Sequence, residues 1–168
     1  KAYDMMMSKF EPFVGILIEY NTDKELRSAP VRLKETAPRL KPHEIGIGFI
    51  GAGSYAQSHL LPNIPGSRKV RKVGVMTATS TGSRSVAERF GFDLCTGDEK
   101  DILGNEAINT IFIATRHDTH ADYVVKALQA GKHVFVEKPL CLNETDLTRI
   151  TEAYQAAHAN LMVGYNRR

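Results

Sequence analysis

The sequence IGIGFIGAGSYA, residues 45–56, decides the fold. Its first half, residues 45–50, is an apolar run typical of a buried parallel strand. Its second half places Gly51, Gly53 and Ala56 in the spacing GxGxxA, and a short helical stretch is predicted over residues 55–61. Glycines between a strand and a helix leave room for a pyrophosphate beside the backbone amides of the helix N-terminus. The stretch therefore predicts a dinucleotide-binding turn.

A second match to these letters, GxGxxG, occurs over residues 46–51. It lies inside the apolar run, where the backbone amides would bond to neighbouring strands and would not be available to a phosphate. We therefore assign the binding turn to the later match, whose contributing residues are Gly51, Gly53, Ser54, Tyr55 and Ala56.

The same alternation of strands and helices continues along the chain. Further apolar runs occupy residues 70–76, 108–114, 134–136 and 161–163. Helices are predicted over residues 83–90, 98–103, 120–130 and 143–157. Strand and helix repeated in this way require right-handed crossovers between parallel strands. The predicted fold is α/β, with a doubly wound, mostly parallel Rossmann sheet and helices on both faces.

Composition excludes several classes of protein. The 168 residues carry a net charge of only +3, without basic runs, which argues against nucleic acid as a partner. Apolar runs are too short to span a bilayer, so no membrane association is expected. Cys95 and Cys141 have no metal-ligand spacing, which predicts no metal site and suits a reducing, cytoplasmic compartment.

The end of the second predicted strand bears on the choice of cofactor. Sites that select NAD place an Asp or Glu about 20 residues after the glycines. Here that position is Thr77, and no acidic residue occurs between Glu44 and Glu88. Hydroxyls and a guanidinium in this interval suit an adenosine 2′-phosphate, and they belong to Thr77, Thr79, Ser80, Ser83 and Arg84. One charge-assisted contact contributes about 1.5–3 kcal/mol, so we expect NADP or NAD, with NADP favoured.

Four stretches of the chain carry a resemblance to one family. They are GFIGAG at residues 48–53, ATRHDTH at 114–120, AGKHVFVEKP at 130–139 and VGYNRR at 163–168. Together they resemble the N-terminal half of the Gfo/Idh/MocA oxidoreductases, over residues 45–168. The resemblance implies a Rossmann domain followed by a C-terminal α/β substrate domain. It also implies hydride transfer on hydroxyls of sugars, nucleotide sugars or cyclitols with NAD(P).

The motif Glu137-Lys138-Pro139 acquires a role from this resemblance. Lys138 matches the family's substrate-facing lysine, and Pro139 matches a proline that often follows a cis peptide bond. Ligands of open α/β sheets bind at the carboxyl ends of strands, where this motif lies. An ammonium there can hold a substrate oxygen or relay its proton, so Lys138 is the expected catalytic residue. Thr115, Glu137 and Lys138 are expected to contact the cofactor.

Two residues of the ATRHDTH stretch are interpreted differently. His120 matches a family position, and we interpret it as a structural residue at the start of a helix. Arg116 stands where the family more usually has proline. No functional role is predicted for His59 or His117.

The domain organisation follows from the same motifs. Residues 1–44 combine an apolar start with a second half, residues 21–44, that has three prolines and many charges and is predicted to be a linker. Residues 2–20 resemble the closing helix and strand of a medium-chain alcohol dehydrogenase. We expect the apolar segment 13–18 to dock on the domain's own surface or to pair across a homodimer.

The family's remaining catalytic residues belong to the second domain and have no counterpart before Arg168. We therefore expect a fragment of a longer, two-module oxidoreductase that binds cofactor, with a carbohydrate-like small molecule as substrate, and is inactive alone. The alternative is a non-catalytic nucleotide-binding or redox-sensing Rossmann module. A methyltransferase with the same sheet is disfavoured, because the acid that would bind its ribose is absent.

Overall fold

The structure, a computed structural model, describes residues 29–34, 40–41 and 43–165. The apolar segment 13–18, its predicted docking or pairing, and the resemblance over residues 2–20 lie outside the described residues. In the part of the chain that is described, no helix has the length and apolar character needed to cross a membrane.

Seven strands of the described residues form one sheet. They are β1 (Val31–Arg32), β2 (Ile45–Ile50), β3 (Val70–Met76), β4 (Leu94–Thr96), β5 (Thr110–Ile113), β6 (His133–Glu137) and β7 (Leu161–Gly164). The α-helices in this region are α1 (Ser80–Phe90), α2 (Lys100–Leu103), α3 (His120–Gln129) and α4 (Glu144–Ala156). A π-helical turn, Ala56–Leu60, and a 3-10 turn, Leu61–Asn63, follow β2.

The strands lie in the order β1-β4-β3-β2-β5-β6-β7. All neighbouring pairs are parallel except β1 with β4, which is antiparallel. The chain proceeds from β2 outward to β4 and resumes at β5 on the other side of β2, so the strand order reverses between β2 and β5. Doubly wound sheets bind ligands in the crevice beyond the carboxyl ends of their strands at such a reversal. The predicted Rossmann sheet is therefore confirmed.

The strands supply two apolar cores, one on each face of the sheet. Ile50 packs in a core that includes Val124 of α3 and Ile150 of α4. The preceding residue, Phe49, packs in a second core that includes Val86 of α1. Because successive strand residues point to opposite faces, α1 lies on one face and α3 and α4 lie on the other, as predicted.

Strand register places the ends of three strands side by side. Ile50 at the end of β2 is opposite Met76 of β3 and also opposite Ile113 of β5. The residues that follow these strands therefore share one edge of the sheet, at the reversal of strand order. The glycine turn, Thr77 and Thr115 all begin from this edge.

Two short strands are not predicted by the sequence pattern. β4 has three residues and β1 has two, which is too short to show strand periodicity. In the sheet, Val31 of β1 is opposite Cys95 of β4, whose Sγ donates to the Val31 carbonyl at 3.7 Å. Part of the segment predicted as a linker thus supplies an edge strand.

Side-chain caps fix where two helices begin. The predicted helix over residues 83–90 starts earlier, at Ser80, because the Thr79 Oγ1 accepts a hydrogen bond from the Gly82 amide at 3.1 Å. Helix α4 begins as predicted, with the Asn143 Oδ1 accepting from the Asp146 amide at 2.8 Å. The Asn143 Nδ2 also donates to the Asp146 carboxylate at 2.8 Å.

Candidate functional site

The first glycine of the turn meets a conformational and a packing requirement. Gly51 has φ of +89°, a region that residues with a Cβ rarely adopt. Its amide donates to the Met76 carbonyl at 2.9 Å, which joins the turn to β3. A Cβ at this position would lie 2.5 Å from Cγ2 of Thr115 and 2.7 Å from the Ala114 carbonyl carbon. Only glycine fits here without moving the end of β5.

The second glycine faces open space. A Cβ at Gly53 would meet no atom within 4 Å, so its absence leaves the backbone accessible. The Gly53 carbonyl accepts from the Gln57 amide at 3.0 Å, and the helical turn begins with this hydrogen bond. The first-turn amides at Ser54 and Tyr55 therefore have no carbonyl partner from a preceding turn of helix. Ala56 is buried in the core, so the turn is fixed at Ala56 and accessible to solvent at Gly53.

A cleft of about 590 Å³ extends across the strand reversal from this turn. Its lining consists of residues 51–57, 76–79 and 114–116, with Gly82, Val86, Thr119 and Tyr123. None of the described lining residues is an Asp or Glu. Burial raises the pKa of Tyr123 above its ordinary value, so this phenol stays neutral at neutral pH. The cleft thus combines free backbone amides with hydroxyls and no negative charge.

The side of the cleft beyond β3 carries threonine hydroxyls. Thr77 Oγ1 donates to the Thr79 carbonyl at 2.8 Å, and Thr79 caps α1, in which Ser80 is the first residue. Arg84 lies one turn further along α1 and does not line the cleft. Its Nε donates to Glu88 at 2.9 Å, and this hydrogen bond, with the charge of Glu88, raises the pKa of Arg84.

The opposite side of the cleft is the loop between β5 and α3. Thr115 follows β5, and Thr119 Oγ1 lies 2.8 Å from Thr115 Oγ1 and 2.8 Å from the Arg116 carbonyl. These bonds close a tight turn just before α3. Arg116 itself lines the cleft with an exposed side chain.

A smaller pocket of about 150 Å³ adjoins the cleft. Both cavities are lined by Tyr55, Ala114 and Thr115, so they meet beside the glycine turn. The smaller one is also lined by Glu137 and Lys138 at the end of β6, with His117 and His120. Lys138 is exposed, whereas only 8% of Glu137 is exposed. The Lys138–Pro139 peptide bond is cis.

His120 connects the lysine loop to the end of β5. It is fully buried, with Nδ1 2.7 Å from the Pro139 carbonyl oxygen and Nε2 3.2 Å from the Thr115 carbonyl oxygen. Pro139, after Lys138, and Thr115, two residues after the end of β5, therefore both contact one imidazole. His120 therefore lines the pocket and connects the two loops beside it, which is a structural role.

Most of the predicted site residues lie together at the strand reversal. Those that line the cleft are Gly51, Gly53, Ser54, Tyr55, Ala56, Thr77, Thr79 and Thr115, and Glu137 and Lys138 line the adjoining pocket. Arg84 lies outside both cavities, paired with Glu88.

Sequence patterning gave no binding role to several polar residues at these cavities, among them Gln57, Arg116, His117, Thr119 and Tyr123. Thr119 and Tyr123 lie four residues apart at the start of the helix after β5, and that helical spacing was an available signal. Among the described residues, no group of His, Cys, Asp and Glu is arranged to hold a metal ion.

A doubly wound sheet with an open glycine turn at its reversal defines a dinucleotide-binding Rossmann domain. Residues 45–165 match the model of the Gfo/Idh/MocA oxidoreductase family, described as an oxidoreductase family with an NAD-binding Rossmann fold. The chain belongs to this family, which confirms the resemblance predicted from its motifs.

Curated relatives include two dehydrogenases. The inositol 2-dehydrogenase of Gluconacetobacter diazotrophicus is 34% identical over 126 residues, which cover 74% of this chain and 37% of that protein. The levoglucosan dehydrogenase of Pseudarthrobacter phenanthrenivorans is 30% identical over 136 residues, covering 74% of this chain and 34% of that protein. The chain thus spans about a third of the length of these relatives.

Solved structures share the fold. A 3-ketoreductase from Actinomadura kijaniata in complex with NADP and TDP-benzene superposes with a TM-score of 0.66 at 23% identity, over 72% of this chain and 37% of that one. A levoglucosan dehydrogenase in complex with NADH and levoglucosan gives a TM-score of 0.63 at 26% identity, over 71% of this chain and 34% of that one.

Proposed function

We propose that this chain is the cofactor-binding domain of an NAD(P)-dependent oxidoreductase that acts on a hydroxyl or carbonyl of a sugar-like molecule or cyclitol. The main observation behind this proposal is that the 590 Å³ cleft adjoins the pocket of Lys138, because Tyr55, Ala114 and Thr115 line both. A cofactor in the cleft would therefore lie next to the pocket that this lysine lines. The inositol and levoglucosan dehydrogenases among the relatives support the substrate class.

The residues of the chain fit a nicotinamide dinucleotide. The amides of Ser54 and Tyr55 would bind the pyrophosphate, which the lack of a side chain at Gly53 would allow to approach. Glu137, a buried carboxylate beside Lys138, would accept hydrogen bonds from a ribose hydroxyl. The nicotinamide, when bound, supplies the hydride acceptor or donor. Lys138 would hold the substrate oxygen or relay its proton.

We further propose that the cleft prefers NADP to NAD. The hydroxyls of Thr77 and Thr79 and the lack of acidic lining residues support this preference, because a carboxylate would repel a 2′-phosphate. Arg84 is one helical turn beyond Ser80, and its exposed guanidinium needs only to exchange Glu88 for a phosphate. The pair is exposed to solvent, so breaking it costs little.

The cofactor preference is tested by fluorescence titration. The chain has no Trp, so the signal is the enhancement of the cofactor's own fluorescence. NADPH should bind more tightly than NADH, and Arg84→Ala should weaken NADPH binding by about ten- to hundredfold while leaving NADH unchanged. Arg89→Ala on the same helix is the matched control, because Arg89 stacks over Phe90. Equal affinities, or a preference for NADH, would refute the proposal.

The activity is tested by comparing residues 1–168 with the longer natural protein, using NAD or NADP and a panel of sugars and cyclitols. The short chain should bind cofactor without turnover, because positioning of the substrate contributes about 7–11 kcal/mol to lowering the barrier. The longer protein should be active and should lose activity with Lys138→Met. A longer protein that binds cofactor but stays inactive would instead favour a redox-sensing module.

We also propose the wider organisation predicted from the sequence, with residues 1–44 as a segment and linker before the Rossmann domain, corrected in that β1 (Val31–Arg32) belongs to the sheet of this domain. Cys95 and Cys141 are unpaired, which supports a reducing compartment such as the cytoplasm. Association into a homo-oligomer would be tested by the mass in solution of the chain with and without residues 1–28.

A further inference from the structure

We propose that Arg116, in the loop after β5 and beside the glycine turn, binds the cofactor's pyrophosphate. The inference rests on the proposed function and adds to it a second phosphate-binding element that comes from β5.

The first argument is the place of Arg116 in the fold. Gly51 and Thr115 are in such close contact that a Cβ on Gly51 would lie 2.5 Å from Cγ2 of Thr115. Arg116 is the next residue, and it lines the same cleft as Gly53 and Ser54. The turn that offers amides to a phosphate and Arg116 are therefore neighbours that line one cavity.

The second argument is that the backbone of Arg116 is fixed while its side chain is free. The Arg116 carbonyl accepts from the Thr119 amide at 3.0 Å and lies 2.8 Å from Thr119 Oγ1. The guanidinium is exposed and has no ion pair or hydrogen bond with any residue in the described ranges. By contrast, Arg71 pairs with Asp93 at 2.9 Å.

The third argument is chemical. The fork of donors on a guanidinium matches two phosphate oxygens at once, and arginine keeps its charge at any physiological pH. The described lining of the cleft contains no carboxylate that would compete for this charge. A pyrophosphate bound by the amides of the turn would place an anion in the cavity that Arg116 lines. Arg116 is thus a cofactor-binding residue.

The test uses three ligands and the whole chain of 168 residues. NADPH contains the pyrophosphate, the nicotinamide and the 2′-phosphate; 2′-phospho-ADP-ribose lacks the nicotinamide; adenosine 2′-monophosphate lacks the pyrophosphate as well. Arg116→Gln should raise the dissociation constants of NADPH and 2′-phospho-ADP-ribose by the same factor, about ten- to hundredfold. It should leave adenosine 2′-monophosphate unchanged, and Arg116→Lys should recover part of the loss.

Controls separate this inference from the proposed function. Asp118→Asn, a substitution at another exposed residue of the same turn, should leave all three affinities unchanged. If the wild-type chain binds NADPH and Arg116→Gln binds it equally well, the role of Arg116 is refuted and the proposed function stands. A loss seen with NADPH but not with 2′-phospho-ADP-ribose also refutes it, because the contact would then be to the nicotinamide side. A wild-type chain that binds none of the ligands overturns both.

Discussion

Gly51 and Gly53 are separated by one residue, yet the fold requires them for different reasons. Gly51 has a left-handed backbone conformation and packs against the end of β5. Gly53 is exposed and borders empty space. One glycine is therefore needed for folding, and the other is needed for a ligand to approach the backbone.

This difference gives a paired prediction. Gly51→Ala should lower the free energy of unfolding by about 1–3 kcal/mol, because alanine is strained at this φ and its Cβ collides with Ala114. Gly53→Ala should change stability by less than about 0.5 kcal/mol but weaken cofactor binding. Urea unfolding and cofactor titration measure the two effects. The opposite order of stabilities would contradict these assigned roles.

His120 gives a second prediction at the residue scale. His120→Ala should lower the free energy of unfolding by about 2–4 kcal/mol, because it leaves a cavity and removes the imidazole that lies within hydrogen-bond distance of the part-buried carbonyls of Thr115 and Pro139. His117→Ala is the control, since His117 is exposed and its loss should cost less than about 0.5 kcal/mol. Comparable losses for the two variants in urea unfolding would contradict the structural role of His120.

At the element scale, β1 closes the sheet on the side of β4. Leu33, just after β1, packs against the core that contains Phe49, and Lys34 forms an ion pair with Asp93 at 2.9 Å. Without β1, the backbone groups of β4 would be an unpaired edge. The short strand therefore contributes apolar packing and protection of the sheet edge.

Truncation measures this contribution. A chain of residues 45–168 should be less stable than one of residues 29–168 by about 1–2 kcal/mol, mainly from the loss of the half-buried Leu33. It should also associate more readily through the exposed edge of β4. Urea unfolding and light scattering compare the two. Equal free energies of unfolding and an equal degree of association would show that β1 adds nothing to the sheet.

Elements with a clear apolar pattern could be predicted from the sequence. The bounds of β2 and β3 agree with the prediction, because β2 contains only apolar residues and glycine, and β3 ends in the apolar stretch of residues 73–76. β1 could not be predicted, because its partner Cys95 lies 64 residues away and two residues have no period. The glycine turn could also be predicted, because its residues are contiguous in the sequence. The connection of Thr115 to Pro139 through His120 depends on the assembled sheet.

At the scale of the whole molecule, the sheet brings together residues that are distant in sequence. The glycine turn, Thr77, Thr115 and Lys138 follow four different strands, and parallel pairing places all four at one edge. The chain spans about a third of the length of its dehydrogenase relatives. The described cavities nevertheless offer candidate contacts to a dinucleotide, so we expect cofactor binding to need nothing beyond this chain.

Titration of residues 1–168 with NADPH and with NADH, followed by calorimetry and by thermal unfolding, tests that claim most directly. We predict saturable binding of one cofactor per chain, with a stabilisation of about 2.7 kcal/mol when free cofactor reaches 100 times its dissociation constant. Gly53→Ala should reduce both the heat of binding and the thermal shift. A folded wild-type chain that shows neither saturable binding nor a thermal shift with either cofactor would contradict the account.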